Sequence, residues 1–334
     1  MKLRTCWLFA SLALLTVGLF LFDLTVGSVV ISVRDVGAAL MGGDCDPTTA
    51  RIVLDIRLLK ALVALLAGAA LAVSGLQMQT LFRNPLAGPY VLGVSSGASL
   101  GVALFLLGLP LLGASGQVAF SALGMAGAAW VGAAAILLLI AALSNRIKDI
   151  MVILILGMMF SSGVAAVVQV LQYLSDETAL KSFVVWTMGS LGDVTAEQLS
   201  LLAPAVGLGL VLAVATTKPL NLLLLGENYA RTMGLSVRHA RLWIFLSTVL
   251  LAGTVTAFCG PIGFVGLAVP HVARNVFATA DHRVLLPASA LTGSVAMLVC
   301  DIVSKTLTLP VNTVTALLGI PIVVWVVVRN KSMA

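Results

Sequence analysis

Long apolar runs alternate with short polar segments along almost the whole chain. Segments without any Lys, Arg, Asp or Glu cover residues 61–82, 84–145, 150–175, 198–217, 242–273, 284–300 and 306–328. A membrane-spanning helix needs about 20 mostly apolar residues, so most of these segments accommodate one crossing each. The longest, 84–145, accommodates two, and 242–273 holds one full crossing and the beginning of another. Composition agrees, because only 10% of the residues are charged against about 25% in soluble domains.

This pattern predicts an all-α, polytopic membrane protein with about ten transmembrane helices in a single domain over residues 1–334. We expect the helices near 7–31, 61–80, 91–109, 118–143, 150–172, 196–217, 240–257, 263–277, 285–303 and 310–328. The stretch 84–145 should break near Leu109 and Pro110 and again between Gly113 and Gly116, because Pro and Gly interrupt helices.

The N-terminal segment has two interpretations. Lys2 and Arg4 precede an apolar run, as they do in a secretory signal peptide. The run is long for a signal peptide, however, and no clear A-x-A cleavage site follows it. We therefore expect an uncleaved first span.

The basic residues indicate an orientation. With ten spans, most of the 19 Lys and Arg residues fall on the same side as both termini. The positive-inside rule makes that side cytoplasmic. The net charge of +6 is then explained by topology in a lipid bilayer, and no nucleic-acid partner is implied.

Residues 218–241 form a polar segment between two long apolar runs and read KPLNLLLLGENYARTMGLSVRHAR. In a helix, Leu225, Tyr229 and Met233 would form one apolar stripe, since they are spaced four residues apart. Gly226 and Gly234 can each end a turn. A folded amphipathic segment on the cytoplasmic side predicts a docking surface for another protein.

Two segments combine Gly and Pro in a way that breaks helices. Pro85 and Pro89 precede a run of small residues, and Pro261 and Pro270 interrupt residues 259–274. Small residues allow close helix packing in membranes, and they can also line a pathway without blocking it. The candidates for either role are Gly93, Ser95, Ser96, Gly97 and Ser99.

The sequence contains no motif for covalent chemistry. It lacks a Walker loop and an H-E-x-x-H motif, and its cysteines form no C-x-x-C pair. We therefore expect no catalytic residue, no cofactor and no metal site. An ion-coupled secondary transporter is disfavoured because the acids within the spans, Asp23 and Asp301, fall near the predicted outer ends. A membrane-embedded enzyme would need polar groups that converge at one depth, whereas the Ser, Thr and Gln residues of this sequence are scattered.

Four ordered blocks carry a resemblance to a known family. They read IRLLKALVALLAGAALAVSGLQMQTLFRNPLAGPYVLGVSSGASLG (56–101), GENYARTMGLSVRHAR (226–241), GTVTAFCGPIGFVGLAVPHVAR (253–274) and LPVNTVTALLGIPIVVW (309–325). The chain resembles FecCD-type permeases, the membrane subunits of ABC importers for ferric siderophores, haem and cobalamin. The resemblance implies a type II ABC importer permease in the bacterial inner membrane. Ferric siderophore is the first candidate substrate, followed by haem or cobalamin.

The resemblance also implies partners. These are a second copy of the chain, two cytoplasmic ATPase subunits that hydrolyse ATP, and a periplasmic or lipid-anchored substrate-binding protein. The ATPase-coupling element corresponds to residues 219–235, with Leu220, Leu225, Gly226, Glu227, Tyr229, Ala230, Arg231, Met233 and Gly234 as its candidate contacts.

Docking of the binding protein is implied for the outer basic residues Arg57, Lys60 and Lys305. The family has an R-L-P-R-like element where this chain reads Arg57-Leu58-Leu59-Lys60, so a lysine replaces the second arginine and the bidentate fork is lost. The alternative is that Arg57 and Lys60 only anchor the span at the lipid headgroups.

Overall fold

The computed structural model describes residues 2–109, 122–144, 147 and 149–331, which form helices, turns and loops without a strand. The helices are α1 (Lys2–Thr25), α2 (Val33–Met41), α3 (Pro47–Leu81), α4 (Val94–Gly108), α5 (Ala122–Ser144), α6 (Ile150–Leu174), α7 (Glu177–Thr187), α8 (Ala196–Ala215), α9 (Thr217–Leu223), α10 (Glu227–Thr232), α11 (Val237–Cys259), α12 (Val265–Phe277), α13 (His282–Leu307) and α14 (Val311–Lys331). Short π-helical turns lie within α3, α4 and α11, and a 3₁₀ turn covers Pro89–Leu92.

The all-α, multi-pass prediction is confirmed. Within the described ranges, seven helices are long and apolar enough to cross a membrane, namely α1, α3, α5, α6, α8, α11 and α13. The shorter apolar helices α4 and α14 match two further predicted spans. The breaks expected at Leu109–Pro110 and at 113–116 lie outside the described residues, apart from Leu109 itself, which is the last residue described before the gap.

The predicted span at 263–277 is wrong as a full crossing. Helix α12 has 13 residues and is about 20 Å long, whereas the apolar layer is about 30 Å thick. The segment before it is not helical, because Pro261 cannot continue α11 and Gly260 and Phe264 take positive φ values of 73° and 64°. The chain therefore enters the bundle partly as extended backbone.

The first span was also misplaced. We expected it near 7–31, but α1 runs from Lys2 to Thr25. The apolar residues Val29 to Ile31 lengthen the hydrophobic run without continuing the helix. The carbonyl groups of Leu24 and Thr25, which a helix end leaves free, instead accept hydrogen bonds from Arg57.

Helix α3 is the centre of the bundle, and its residues from Val63 to Leu81 are almost all buried. It packs against α13, α12, α8 and α11. A Cβ atom on Gly68 would overlap the backbone of Gly293, and one on Gly75 would overlap the backbone of Gly266. Glycine at these positions therefore allows the helices to approach backbone to backbone.

The segment that follows α3 turns back into the bundle. Pro89 lies against Gly266, which also contacts Leu71 in the middle of α3. The hydroxyl group of Tyr90 lies 3.4 Å from the backbone nitrogen of Ile262. The two broken segments thus meet inside the protein, where their free backbone groups find polar partners away from lipid.

The bundle has two ends. The end that carries residues 218–241, together with the ends of α3, α12 and the start of α13, is named the loop face. The other end, with the end of α1, the start of α3 and the end of α13, is named the opposite face.

Candidate functional site

Residues 218–241, named the amphipathic loop, fold into two short helices and the start of α11. Gly226 has a φ of 100° and separates α9 from α10, and Gly234 has a φ of 84° and follows α10. Both predicted turns are present. The stripe does not lie on one helix, however, because Leu225 precedes α10 and Met233 caps its C-terminus.

The three residues of the stripe are nevertheless exposed together. Leu225 is 62% exposed, Tyr229 50% and Met233 59%. Leu220 and Ala230 are fully buried and hold the loop against the bundle. Exposed apolar side chains on a folded surface that is rimmed by charges are typical of a protein-binding site.

Glu227 pairs with two arginine side chains. Arg231, four residues later, lies 3.8 Å away. The closer partner is Arg241, whose guanidinium group is 2.5 Å from the carboxylate and only 3% exposed. Arg241 also donates to the carbonyl oxygen of Ile147. The pair fastens α10 to α11, and sequence spacing alone did not reveal it.

A second connection joins α9 to α13 and α3 through Asn221. The amide oxygen of Asn221 accepts from the backbone N–H of His282, 2.9 Å away, and lies 2.8 Å from the ring Nδ1. The other ring nitrogen lies 2.8 Å from the hydroxyl oxygen of Thr80. With the imidazole protonated on Nδ1, the ring donates to Asn221, and the single Thr80 hydroxyl proton is shared between Nε2 and the carbonyl oxygen of Leu76, 2.9 Å away.

Asp281 completes this connection. Its carboxylate accepts from the Asn221 amide nitrogen at 2.7 Å and from the backbone N–H of Arg283 at 2.9 Å. The Arg283 N–H is the main cause that holds the pKa of Asp281 below its usual value, and Asn221 adds to the effect. Sequence analysis did not find this site, although an Asp before a helix is a typical N-cap.

A cavity of about 710 Å³ lies beside the amphipathic loop. It is lined by the end of α3, the start of α6 and residues Leu225 to Tyr229, with Arg83, Asp149 and Glu227 as its charged groups. The loop face therefore offers a concave surface next to an exposed apolar stripe.

On the opposite face, Arg57 lies inside the protein. It is 5% exposed, and its guanidinium group donates to the carbonyl oxygens of Leu24 and Thr25, both at 2.9 Å, and to Val29. In this arrangement Arg57 caps α1 and does not present its charge at the surface.

Four charged side chains form a buried group near Arg57, which we name the charge cluster: Asp23, Lys60, Asp301 and Lys305. Lys305 lies 2.7 Å from Asp23 and 2.7 Å from Asp301. Lys60 lies 3.1 Å from Asp301. Both carboxylates are fully buried, while the side chain of Lys305 is 8% exposed and that of Lys60 21%.

The charge cluster changes two expectations. Asp23 and Asp301 lie near the outer ends of their helices as predicted, but they are buried and paired rather than solvated. Lys305 is enclosed by them, so of the three predicted docking residues Lys60 alone keeps a partly exposed charge. The four charges balance, which is how buried ionisable groups are tolerated in membranes.

The small-residue segment supplies close packing through its glycines. A Cβ atom on Gly97 would overlap the carbonyl group of Gly132 in α5, and Gly93 takes a φ of 77° at the start of α4. Ser95, Ser96 and Ser99 are half-buried. Their role in a pathway stays a prediction.

The residues described contain no group of three or more His, Cys, Asp or Glu side chains that could hold a metal ion. The described residues form an apolar helical bundle with broken helices and a folded amphipathic loop, an architecture that suits a membrane permease. The chain matches the FecCD transport family over residues 14–329, and it belongs to that family.

Individual proteins agree with this assignment. The chain is 41% identical to the hemin transport system permease protein HmuU of Yersinia pestis over 290 residues, which cover 83% of each protein. It is 38% identical to the vitamin B12 import system permease protein BtuC of Salmonella paratyphi A, over 83% of this chain and 84% of that one.

A solved structure of a metal-chelate type ABC transporter in an inward-facing conformation superposes with a TM-score of 0.84 at 32% identity. The match covers 96% of this chain and 99% of that chain.

Proposed function

We propose that this chain forms the membrane pathway of an ATP-driven importer for a metal chelate, and that the amphipathic loop binds the ATPase. The observation that carries the proposal is the exposed stripe of Leu225, Tyr229 and Met233 on a segment that is itself well anchored. With the loop face on the cytoplasmic side, as the basic residues predict, the stripe faces the compartment that contains ATP.

Two connections would transmit the motion of the ATPase. The Glu227–Arg241 pair links α10 to α11, and Asn221 links α9 to His282 at the start of α13. Through Thr80, the second connection reaches the central helix α3. A displacement of the loop therefore tilts three helices together, and the chain itself carries out no covalent chemistry.

The complete pathway requires a second copy of the chain. Helix α6 is available for such a contact, because within one copy its buried residues are Ile153, Gly157 and Val168. Residues Met151, Ile155, Met158 and Met159 of α6 are all exposed, so this helix leaves an apolar surface for lipid or for a partner copy.

The relatives, rather than the described residues, support an order of candidate substrates. The 41% identical permease transports hemin and the 38% identical permease imports vitamin B12. Both cargoes are metal tetrapyrroles, so we place haem first and cobalamin second. The ferric siderophore suggested by the sequence is the third candidate.

Binding-protein docking rests on Lys60, whose side chain is 21% exposed. Lys60 also lies near Gly192 in the loop between α7 and α8. An acidic residue on a binding protein would find a positive charge there, although Asp301 neutralises part of it.

The test is reconstitution of the purified chain in liposomes with its ATPase and binding protein, followed by uptake of haem, cobalamin and a ferric siderophore. We expect ATP-dependent uptake of one class, no ATPase activity from the isolated chain, and two copies of the chain per complex. Robust ATP hydrolysis by the isolated chain would overturn the proposal.

The charge cluster supports one alternative function, an ion-coupled secondary transporter. Buried carboxylates in a membrane protein are candidate proton carriers. An uncoupler that collapses the proton gradient separates the two mechanisms. Uptake that requires ATP and is unaffected by the uncoupler supports the importer. Uptake that stops when the proton gradient collapses supports the alternative.

A further inference from the structure

A groove between α8 and α13 opens at the loop face and is separate from the amphipathic stripe. Both helices pack on α3 and leave a gap between them. The groove has a volume of about 700 Å³, which is within the range of about 300–1,000 Å³ that is typical of ligand sites.

The groove has a basic mouth and an apolar body. Lys218 and Arg283 line its mouth, and both side chains are exposed. Deeper along the same walls lie Leu210, Val214 and Leu286. From Ala215, the last residue of α8, to Leu210 the wall extends about 8 Å along the helix axis, at about 1.5 Å per residue.

The groove opens towards the surroundings of the bundle. Val214 is 64% exposed and continues a row of exposed apolar residues on α8, which includes Leu208 and Val211. Within one copy of the chain, this apolar row is available to acyl chains. The basic mouth is then at the level of the lipid headgroups, where the polar segment 217–218 begins.

We propose that this groove binds an anionic phospholipid, with its phosphate group between Lys218 and Arg283 and an acyl chain along Leu210, Val214 and Leu286. Charge complementarity selects the anionic headgroup, because basic residues near a membrane surface attract anionic lipids by about 1 kcal/mol each. The apolar walls favour a ligand that has an acyl chain over a free anion. Asp281 stays ionised, because Asn221 and the Arg283 backbone N–H donate to its carboxylate, but it is not among the residues that line the groove.

The site has a consequence for the loop. Lys218 lies on α9, beside Asn221, and Arg283 lies on the first turn of α13. A bound phosphate group therefore bridges the same two helices that Asn221 and His282 connect. Anionic lipid would stabilise that junction.

Native mass spectrometry of the delipidated full-length chain, titrated with dioleoylphosphatidylglycerol or dioleoylphosphatidylcholine, tests the proposal. Two basic groups at about fivefold each predict that phosphatidylglycerol binds about tenfold to thirtyfold more tightly. In the variant Lys218→Gln/Arg283→Gln this preference should disappear. The control variant Arg34→Gln/Arg51→Gln removes the same charge from exposed positions on the opposite face and should keep it.

A second variant tests the apolar wall without touching the charges. Val214→Trp, at an exposed position that tolerates a larger side chain, should weaken binding of both lipids. Thermal stability of each variant shows whether it is folded. The proposal is overturned if the charge variant keeps its preference, if the control loses it equally, or if glycerol 3-phosphate or inorganic phosphate displaces the lipid at equal concentration, which would indicate a simple anion site.

Discussion

The two ends of the helix bundle handle charged and apolar side chains in opposite ways. At the opposite face, four charges are buried in the charge cluster, and Arg57 is enclosed by the carbonyl groups of α1. At the loop face, three large apolar side chains are exposed on a short, well-anchored segment. The first arrangement pairs charged groups within the chain, and the second leaves apolar side chains exposed. We therefore expect the opposite end to be stabilised internally and the loop end to be completed by a partner.

The largest expected effect comes from breaking the charge cluster. Asp301→Asn leaves Lys60 and Lys305 with one carboxylate between them in a buried site. Removal of one partner of a buried ion pair costs about 3–5 kcal/mol in the free energy of unfolding. We expect a clear fall in the thermal unfolding temperature of the detergent-solubilised chain.

The control is Asp55→Asn, since Asp55 is an exposed carboxylate near the same face. It should unfold like the wild type. If Asp301→Asn is equally stable, the cluster is not the internal support that the comparison assumes.

The second effect concerns the loop face. Met233→Asp places a charge at the C-terminal end of the exposed stripe, and a buried apolar anchor at an interface contributes above about 2 kcal/mol. We expect the affinity of the ATPase for the permease in nanodiscs to fall by more than about tenfold, while the variant remains folded and inserted.

Arg231→Gln is the matched change at the rim. Arg231 is half exposed and 3.8 Å from Glu227, and such pairs contribute about 0.5 kcal/mol. ATPase affinity should therefore change little in this variant. Normal affinity and normal uptake in Met233→Asp would show that the stripe is not the docking surface.

A third variant separates docking from transmission. Asn221→Leu keeps the size of the side chain but removes the hydrogen bonds to His282 and Asp281, and a buried group left unsatisfied costs about 1–3 kcal/mol. We expect the ATPase to bind and hydrolyse ATP while the substrate transported per ATP declines. Asn275→Leu, at an exposed position on α12, should keep the ratio. An unchanged ratio in Asn221→Leu would remove this connection from the mechanism.

The smallest effect is expected from Lys60→Gln. In this variant Lys305 alone balances two buried carboxylates, so some thermal stability is lost together with the charge, and association is measured on folded protein. Association of the binding protein should slow by about twofold at low salt, because complementary charges speed encounter and salt screens them. The control is Lys181→Gln, which removes another exposed lysine charge, on α7. Equal association rates at low and high salt would leave Lys60 as a purely internal residue.

The sequence was informative wherever the cause of a feature is local. Gly226 and Gly234 were expected to end turns, and both do, because only glycine adopts their positive φ values readily. The apolar runs located the long helices for the same reason, since each run must by itself satisfy the length of a crossing. The failures at α12 and at the end of α1 arose where apolar residues continue beyond the helix as extended backbone.

Side-chain partners lay beyond what spacing could predict. Lys305 and Asp23 are 282 residues apart along the chain, and Arg57 reaches carbonyl groups 32 and 33 residues earlier. The sequence marked all of these residues as charged and near one face, and that much was correct. It could not distinguish a charge offered to a partner from a charge enclosed by its own helices.

The sequence by itself determined the membrane class, the approximate helices, the family and the position of the amphipathic loop, because hydrophobic length, glycine and proline act over a few residues. The tertiary structure alone decided which charges are buried, how Asn221 and Glu227 connect the loop to α13 and α11, and where a groove remains between α8 and α13. These features depend on which helices α3 brings together, and backbone contacts such as that between Gly68 and Gly293 fix that arrangement in three dimensions.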